Sequence, residues 1–156
     1  MKNGVSLTEE IAVIAHDGHR YSSPKHSHQE AQLLYAVSGV ISIKPDAGSW
    51  VVPPSRAVWL PPGLEHETTS RADVQFRSLL IETSGIQGLP EECMVVEITP
   101  LLRELILKLA DLAIAPGSRE RTDAVVRLFL MELSFQPAQS LNLPMPRRSD
   151  LARLCA

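Results

Sequence analysis

Five histidines punctuate this chain, three of them in two short motifs and none after residue 66. His26-Ser27-His28 is an H-x-H pair. Side chains on a strand repeat every second residue, so on a strand both imidazoles face the same way. Gln32 has the same parity four residues on, and shares that face if the strand is regular. Pro61-Pro62-Gly63-Leu64-Glu65-His66 reads as a tight turn that delivers a third imidazole to the start of the next strand. His26, His28 and His66 with the amide oxygen of Gln32 suit a divalent transition metal, zinc or nickel. The same three rings could equally hydrogen-bond one another, water or a small ligand. His16 and His19 precede the motifs and read as surface or N-terminal-arm residues. Arg77 and Trp59 are the candidates for contact with a small molecule. An inward arginine recognises a carboxylate or similar anion, although a one-residue bulge would turn Arg77 outward. Trp59, like Trp50, could stack on a ligand, but a tryptophan in a small barrel serves more often as core.

The elements that must position these residues change character near residue 97. Before it come short β-like runs, Ile11–His16, Gln32–Val37, Val40–Lys44, Trp50–Val52, Ala57–Leu60 and Val74–Ile81. Turn residues such as Ser38-Gly39, Pro53-Pro54 and Pro61-Pro62-Gly63 separate them, the spacing of an all-β sandwich or barrel. A glycine- and proline-containing connector follows at residues 84–90. Beyond it the period becomes helical. Thr99-Pro100 is an N-cap followed by a first-turn proline, and Leu101, Leu102, Leu105, Leu109 and Leu112 form an apolar stripe over Pro100–Ile114. Pro116-Gly117 breaks the chain, and Ser118 caps a second helix to about Phe135. The stripe, with Ile106, is broader than one packed face needs; the surplus predicts a homodimer seam, with mid-helix Leu105 and Leu109 at its centre. Leu141–Pro146 reads as a linker with Arg147 and Arg148 solvated, and a new amphipathic pattern at Leu151 and Leu154 stops at once.

Composition excludes several classes. The chain has 156 residues, enough for one domain, with 44% hydrophobic and 21% charged residues. Its formal net charge of −3 gives no electrostatic footprint for nucleic acid. No apolar run approaches a membrane span, and the N-terminus does not read as a signal peptide, so a cytoplasmic protein is expected. Cys93 and Cys155 lie far apart and read as reduced thiols.

The order His26, His28, Gln32, Gly39 resembles the first cupin motif, and Pro61, Gly63, His66 resembles the second. The match spans roughly residues 20–82. It departs at Gln32, where the family's usual ligand is a glutamate, at Ser55 for glycine and at Ser70 for asparagine. A second resemblance is sharper: Gln32–Gly39, Gly48–Pro54 and Arg56–Gly63 look like the N-terminal sensor domain of AraC/XylS-type transcription regulators. That resemblance implies a mainly β fold, a cupin (double-stranded β-helix, jelly-roll-like) barrel followed by a C-terminal helical hairpin. It also implies an organisation. Residues 1–97 would be the barrel that binds a small-molecule effector, 98–137 a dimerising hairpin, and 138–156 a linker and the cut-off start of a DNA-binding domain. DNA would then be contacted only through the missing helix-turn-helix part, and the chain would not be an enzyme. The alternative is a metal-dependent cupin enzyme, a dioxygenase or isomerase.

Overall fold

Ala31-Gln-Leu-Leu-Tyr-Ala-Val37 is apolar at odd and even positions alike, so this strand needs cover on both faces. The computed structural model, which describes residues 4–45, 48–133 and 135, supplies both covers. Ten strands form: β1 (Val5–Ser6), β2 (Ile11–Gly18), β3 (Tyr21–His26), β4 (Ala31–Ser38), β5 (Ile41–Pro45), β6 (Trp50–Val52), β7 (Arg56–Leu60), β8 (His66–Ser70), β9 (Val74–Ile81) and β10 (Met94–Glu97). They make two antiparallel sheets, one ordered β1-β2-β9-β4-β7-β10 and the other β3-β8-β5-β6. From β2 to β9 the chain passes back and forth between the sheets, β5 and β6 forming a hairpin within the smaller one, in the manner of a double-stranded β-helix, and two helices follow, α1 (Pro100–Ile114) and α2 (Arg119–Glu132).

Side-chain parity splits the larger sheet into two cores. Leu34, Ala36, Val58, Leu60, Val74 and Phe76 point between the sheets and meet Ile41, Ile43 and Val52. Leu33, Tyr35, Trp59, Leu79 and Ile81 point the other way and meet Leu102, Leu105, Ile106 and Leu109 of α1 with Val126 and Phe129 of α2. Each of these large side chains contributes roughly 1.5–3 kcal/mol by leaving water. The caps are as the sequence requires: Thr99 accepts from the Leu102 N–H and Ser118 from the Arg121 N–H.

Two expectations about the helices need correction. Leu105 and Leu109 are not a surplus seam; they are buried against the sheet, Leu105 at 8% exposure. The apolar side chains left outside are Leu101, Ile114, Leu128 and Met131. The second helix ends at Glu132 rather than Phe135. Strands β1, β3 and β10 carry no strong alternation and were not legible beforehand. The linker, Arg147, Arg148, Cys155 and the whole of residues 138–156 lie outside the described residues. Burial pushes the thiol of Cys93 up to about 12, the state of an inert reduced cysteine.

Candidate functional site

The histidines come together, though by a different route from strand alternation. Pro24 lies in β3, an edge strand, where its missing N–H is tolerated, and the register with β8 shifts between Ser23 and His26. β3 ends at His26, so His28 lies past the strand, and the two rings meet because the chain bends between them. Their Nε2 atoms are 3.1 Å apart. His66 opens β8 directly across from His26. Gly63, with φ of +79° in the turn before it, donates its N–H to the His28 carbonyl at 2.8 Å and ties the two motifs together.

Two of the rings are already oriented. Nδ1–H of His26 donates to the Pro24 carbonyl at 2.6 Å, and Nδ1–H of His66 to the Leu64 carbonyl at 2.9 Å. Each bond leaves Nε2 unprotonated, the tautomer a metal ligand needs, that of His26 turned toward His28 Nε2. Nε2 of His66 is buried and lacks a hydrogen-bond partner. One ligand atom from each of the three rings lies within 4.8 Å of the others, and no carboxylate joins the group among the described residues. Burial, reinforced by the other two rings, holds His28 down at about 4, and burial lowers His66 as well. Both are therefore neutral at pH 7 and able to coordinate.

Beside the trio the barrel is hollow. A cavity of about 550 Å³ is walled by His26 and His28, by Gln32, Leu34, Phe76 and Ser78 of the larger sheet, and by Ile14, His16 and Tyr21. Gln32 donates Nε2–H to the Ser78 hydroxyl at 2.7 Å, and its buried Oε1 has no partner. The amide is thus pinned with its acceptor unused. Among the described residues no aspartate, glutamate, lysine or arginine lines this space.

With that geometry in view, the comparisons with known proteins decide the family. The chain matches the family described as AraC-like ligand binding domain over residues 10–136. The chain belongs to this family. It is also 36% identical over 135 residues to the HTH-type transcriptional regulator NimR of Escherichia coli, a match that covers 86% of this chain and 49% of that protein. The chain therefore spans about half the length of this curated relative. Among solved structures, an apo ToxT variant from Vibrio cholerae superposes with a TM-score of 0.56 at 11% identity, covering 79% of this chain and 54% of that one. A cupin superfamily protein from Desulfitobacterium hafniense gives 0.44 at 12% identity, over 50% of this chain and 72% of that one.

In this AraC-like ligand-binding domain the other sequence candidates fall elsewhere. Arg77 is not inward: strand parity puts it on the face opposite Phe76 and Ser78, where it grips Asp17 of neighbouring β2 at 2.7 Å. Trp59 also faces away from the cavity. It is fully buried under the helices, with Nε1–H donating to the Pro90 carbonyl at 2.9 Å and Phe135 edge-on to its ring. In their place stand residues the sequence reading passed over. His16 is not a surface residue; it pairs across the sheet with Phe76, stacks on it with centroids 5.3 Å apart, and meets Tyr21 at 5.0 Å. His19, by contrast, is exposed and pairs with Asp73.

Proposed function

We propose that this AraC-like ligand-binding domain is the effector-sensing and dimerisation half of a DNA-binding transcription regulator. One observation carries the reading: the family match covers barrel and hairpin together, and the relative that shares 36% identity over 135 residues is a helix-turn-helix regulator of which the match covers 49%. A small molecule enters the cavity beside the histidines, and its differential contacts with two arrangements of the dimer bias the attached DNA-binding parts. The sensor reacts nothing and works in the cytoplasm; no described helix is long and apolar enough to cross a membrane. Leu128 and Met131, three residues apart on the outer side of α2, support a two-fold contact between copies, Met131 being 74% exposed.

The proposal includes a divalent transition metal, zinc or nickel, held by His26, His28 and His66 with the Gln32 oxygen as a fourth donor. The orphaned Nε2 of His66 and Oε1 of Gln32 favour it, since a buried acceptor without a partner is costly. The same three-histidine cluster favours a second reading, a cupin dioxygenase or isomerase.

The test uses the whole reading frame that encodes the chain. Its product should bind DNA sequence-selectively in footprinting, and filling the cavity by Ser78→Trp should remove the response to effector while leaving DNA binding intact. This 156-residue chain alone should show no selective mobility shift at moderate salt. Substrate-dependent oxygen uptake or isomerisation by the metal-loaded chain, lost in His28→Ala, would favour the enzyme instead.

A further inference from the structure

We infer that the effector binds as an anion with a flat apolar body, and that the metal and the effector bind cooperatively in the cavity beside Gln32. This deepens the sensor reading and rests on it. The argument is one of charge. A divalent ion held by three imidazoles and an amide keeps its whole charge, because every one of those donors is neutral. Among the described residues no carboxylate lines the wall or joins the histidine group, and the one whose charge reaches it, Glu30 acting on His28, offsets only part of a divalent ion's charge. In a low-dielectric pocket an uncompensated divalent ion is costly, and an anion at its open side relieves that cost. The converse also holds. Among the described residues no arginine or lysine lines the cavity, and Arg77, which could have served, is turned to the other face and committed to Asp17. An anion therefore finds no protein cation here and depends on the metal. Metal and anion must then raise each other's affinity by the same factor, as linkage requires.

The remainder of the ligand is set by the aromatic part of the cavity wall. Phe76, Tyr21 and His16 are packed on one another, Tyr21 edge-on to Phe76 at 4.8 Å, so no gap is left for a ring to slide between them. Phe76 and Tyr21, with Ile14 and Leu34, present a largely apolar side that His16 interrupts with one ring nitrogen, and a planar group would lie against it. A small aromatic or heteroaromatic molecule with one ionised oxygen or nitrogen fits both walls.

The experiment uses the purified chain, metal-free and loaded with cobalt(II), with benzoate and benzamide as probes of matched size and different charge. Benzoate should shift the visible cobalt bands and bind at least ~10-fold more tightly than benzamide, and the metal-free protein should bind neither probe measurably by calorimetry. Gln32→Glu, which places a carboxylate beside the ion, should keep the cobalt and weaken benzoate at least ~10-fold. Phe76→Ala should weaken benzoate more than acetate. Equal binding of benzamide, equal benzoate binding without metal, or no benzoate binding by the cobalt form overturns the inference while leaving the regulator reading intact, since that reading is tested by DNA binding. Failure of the wild-type chain to take up cobalt overturns it too, and removes the metal from the proposed site. If Gln32→Glu does not fold, the wild-type comparison of benzoate with benzamide decides alone.

Discussion

The two faces of the larger sheet are built from the same strands and serve opposite ends. On the helix side, Leu33, Trp59, Leu79 and Ile81 are closed over by α1 and α2, and even the indole N–H of Trp59 has its partner. On the barrel side, the next residue along each strand enters a space that is packed at one end by Ile41, Ile43 and Val52 and open at the other. There Gln32, Ser78 and His16 interrupt the apolar lining, and Gln32 Oε1, His16 Nε2 and His66 Nε2 are buried without partners. A close-packed face tolerates no charge and has no room for a ligand; a hollow one with unused acceptors is poised for binding. Close packing is thus concentrated on one face, and the cavity with its unused acceptors lies on the other.

The sharpest way to break this division is to place charge in the closed face. Changing Leu105 and Leu109 together to Glu buries two carboxylates with no partner. It should cost more than ~4 kcal/mol and unfold the domain, read as loss of the β signal in circular dichroism. A folded protein would mean that these leucines face a partner chain and not the sheet.

The corresponding change on the open face should spare the fold. His66→Ala, and separately His28→Ala, should abolish metal retention by elemental analysis, with the melting temperature of the metal-free protein moving by only a few degrees. Undiminished metal in both variants would place the ion elsewhere.

Outside both faces, Leu128→Glu with Met131→Glu should give a folded monomer by light scattering, since these side chains already face water in the single chain. A wild-type chain still monomeric at ~100 μM, where a ~1 μM interface would associate, would end the dimer proposal.

The smallest effect belongs to Arg77, which sits on the closed face beyond the reach of the helices. Its guanidinium, by hydrogen bond first and then by charge, holds the Asp17 carboxyl below the usual 3.8. A lowered carboxylate adds stability that is present above that value and lost as pH falls through the folded-state value. Asp17 is 53% exposed, so screening keeps the contribution to under ~1 kcal/mol. The ion-pair part of the Arg77→Ala effect should therefore be less than ~1 kcal/mol at neutral pH and vanish once Asp17 is protonated, leaving the pH-independent loss of the Arg77 hydrogen bond to the Phe76 carbonyl. Ligand affinity should be unchanged; a lost response to effector would return Arg77 to the binding site.

The sequence alone determined what local chemistry can specify. The bounds of α1 were legible because Thr99, Pro100 and Pro116 act within one turn of the residues they punctuate. β6 and β9 were legible as runs rich in β-branched and apolar residues between turns. The histidine trio was legible because its spacing within each motif is short, and the bend after His26 changed the route without changing the meeting point.

Which way a side chain points was decided only by the tertiary structure. A strand buried on both faces shows no alternation of polar with apolar residues, so Val58 and Trp59 of β7 could not be assigned to inside or outside, whereas Val74-Gln75-Phe76-Arg77 does alternate and only the packed sheet showed which core Phe76 enters. The excess leucines of α1 were likewise indistinguishable from an interface until the sheet beneath them was in place. His16 entered the site for the same reason: its neighbour across the sheet lies 60 residues away, and only strand pairing brings Phe76 beneath its ring.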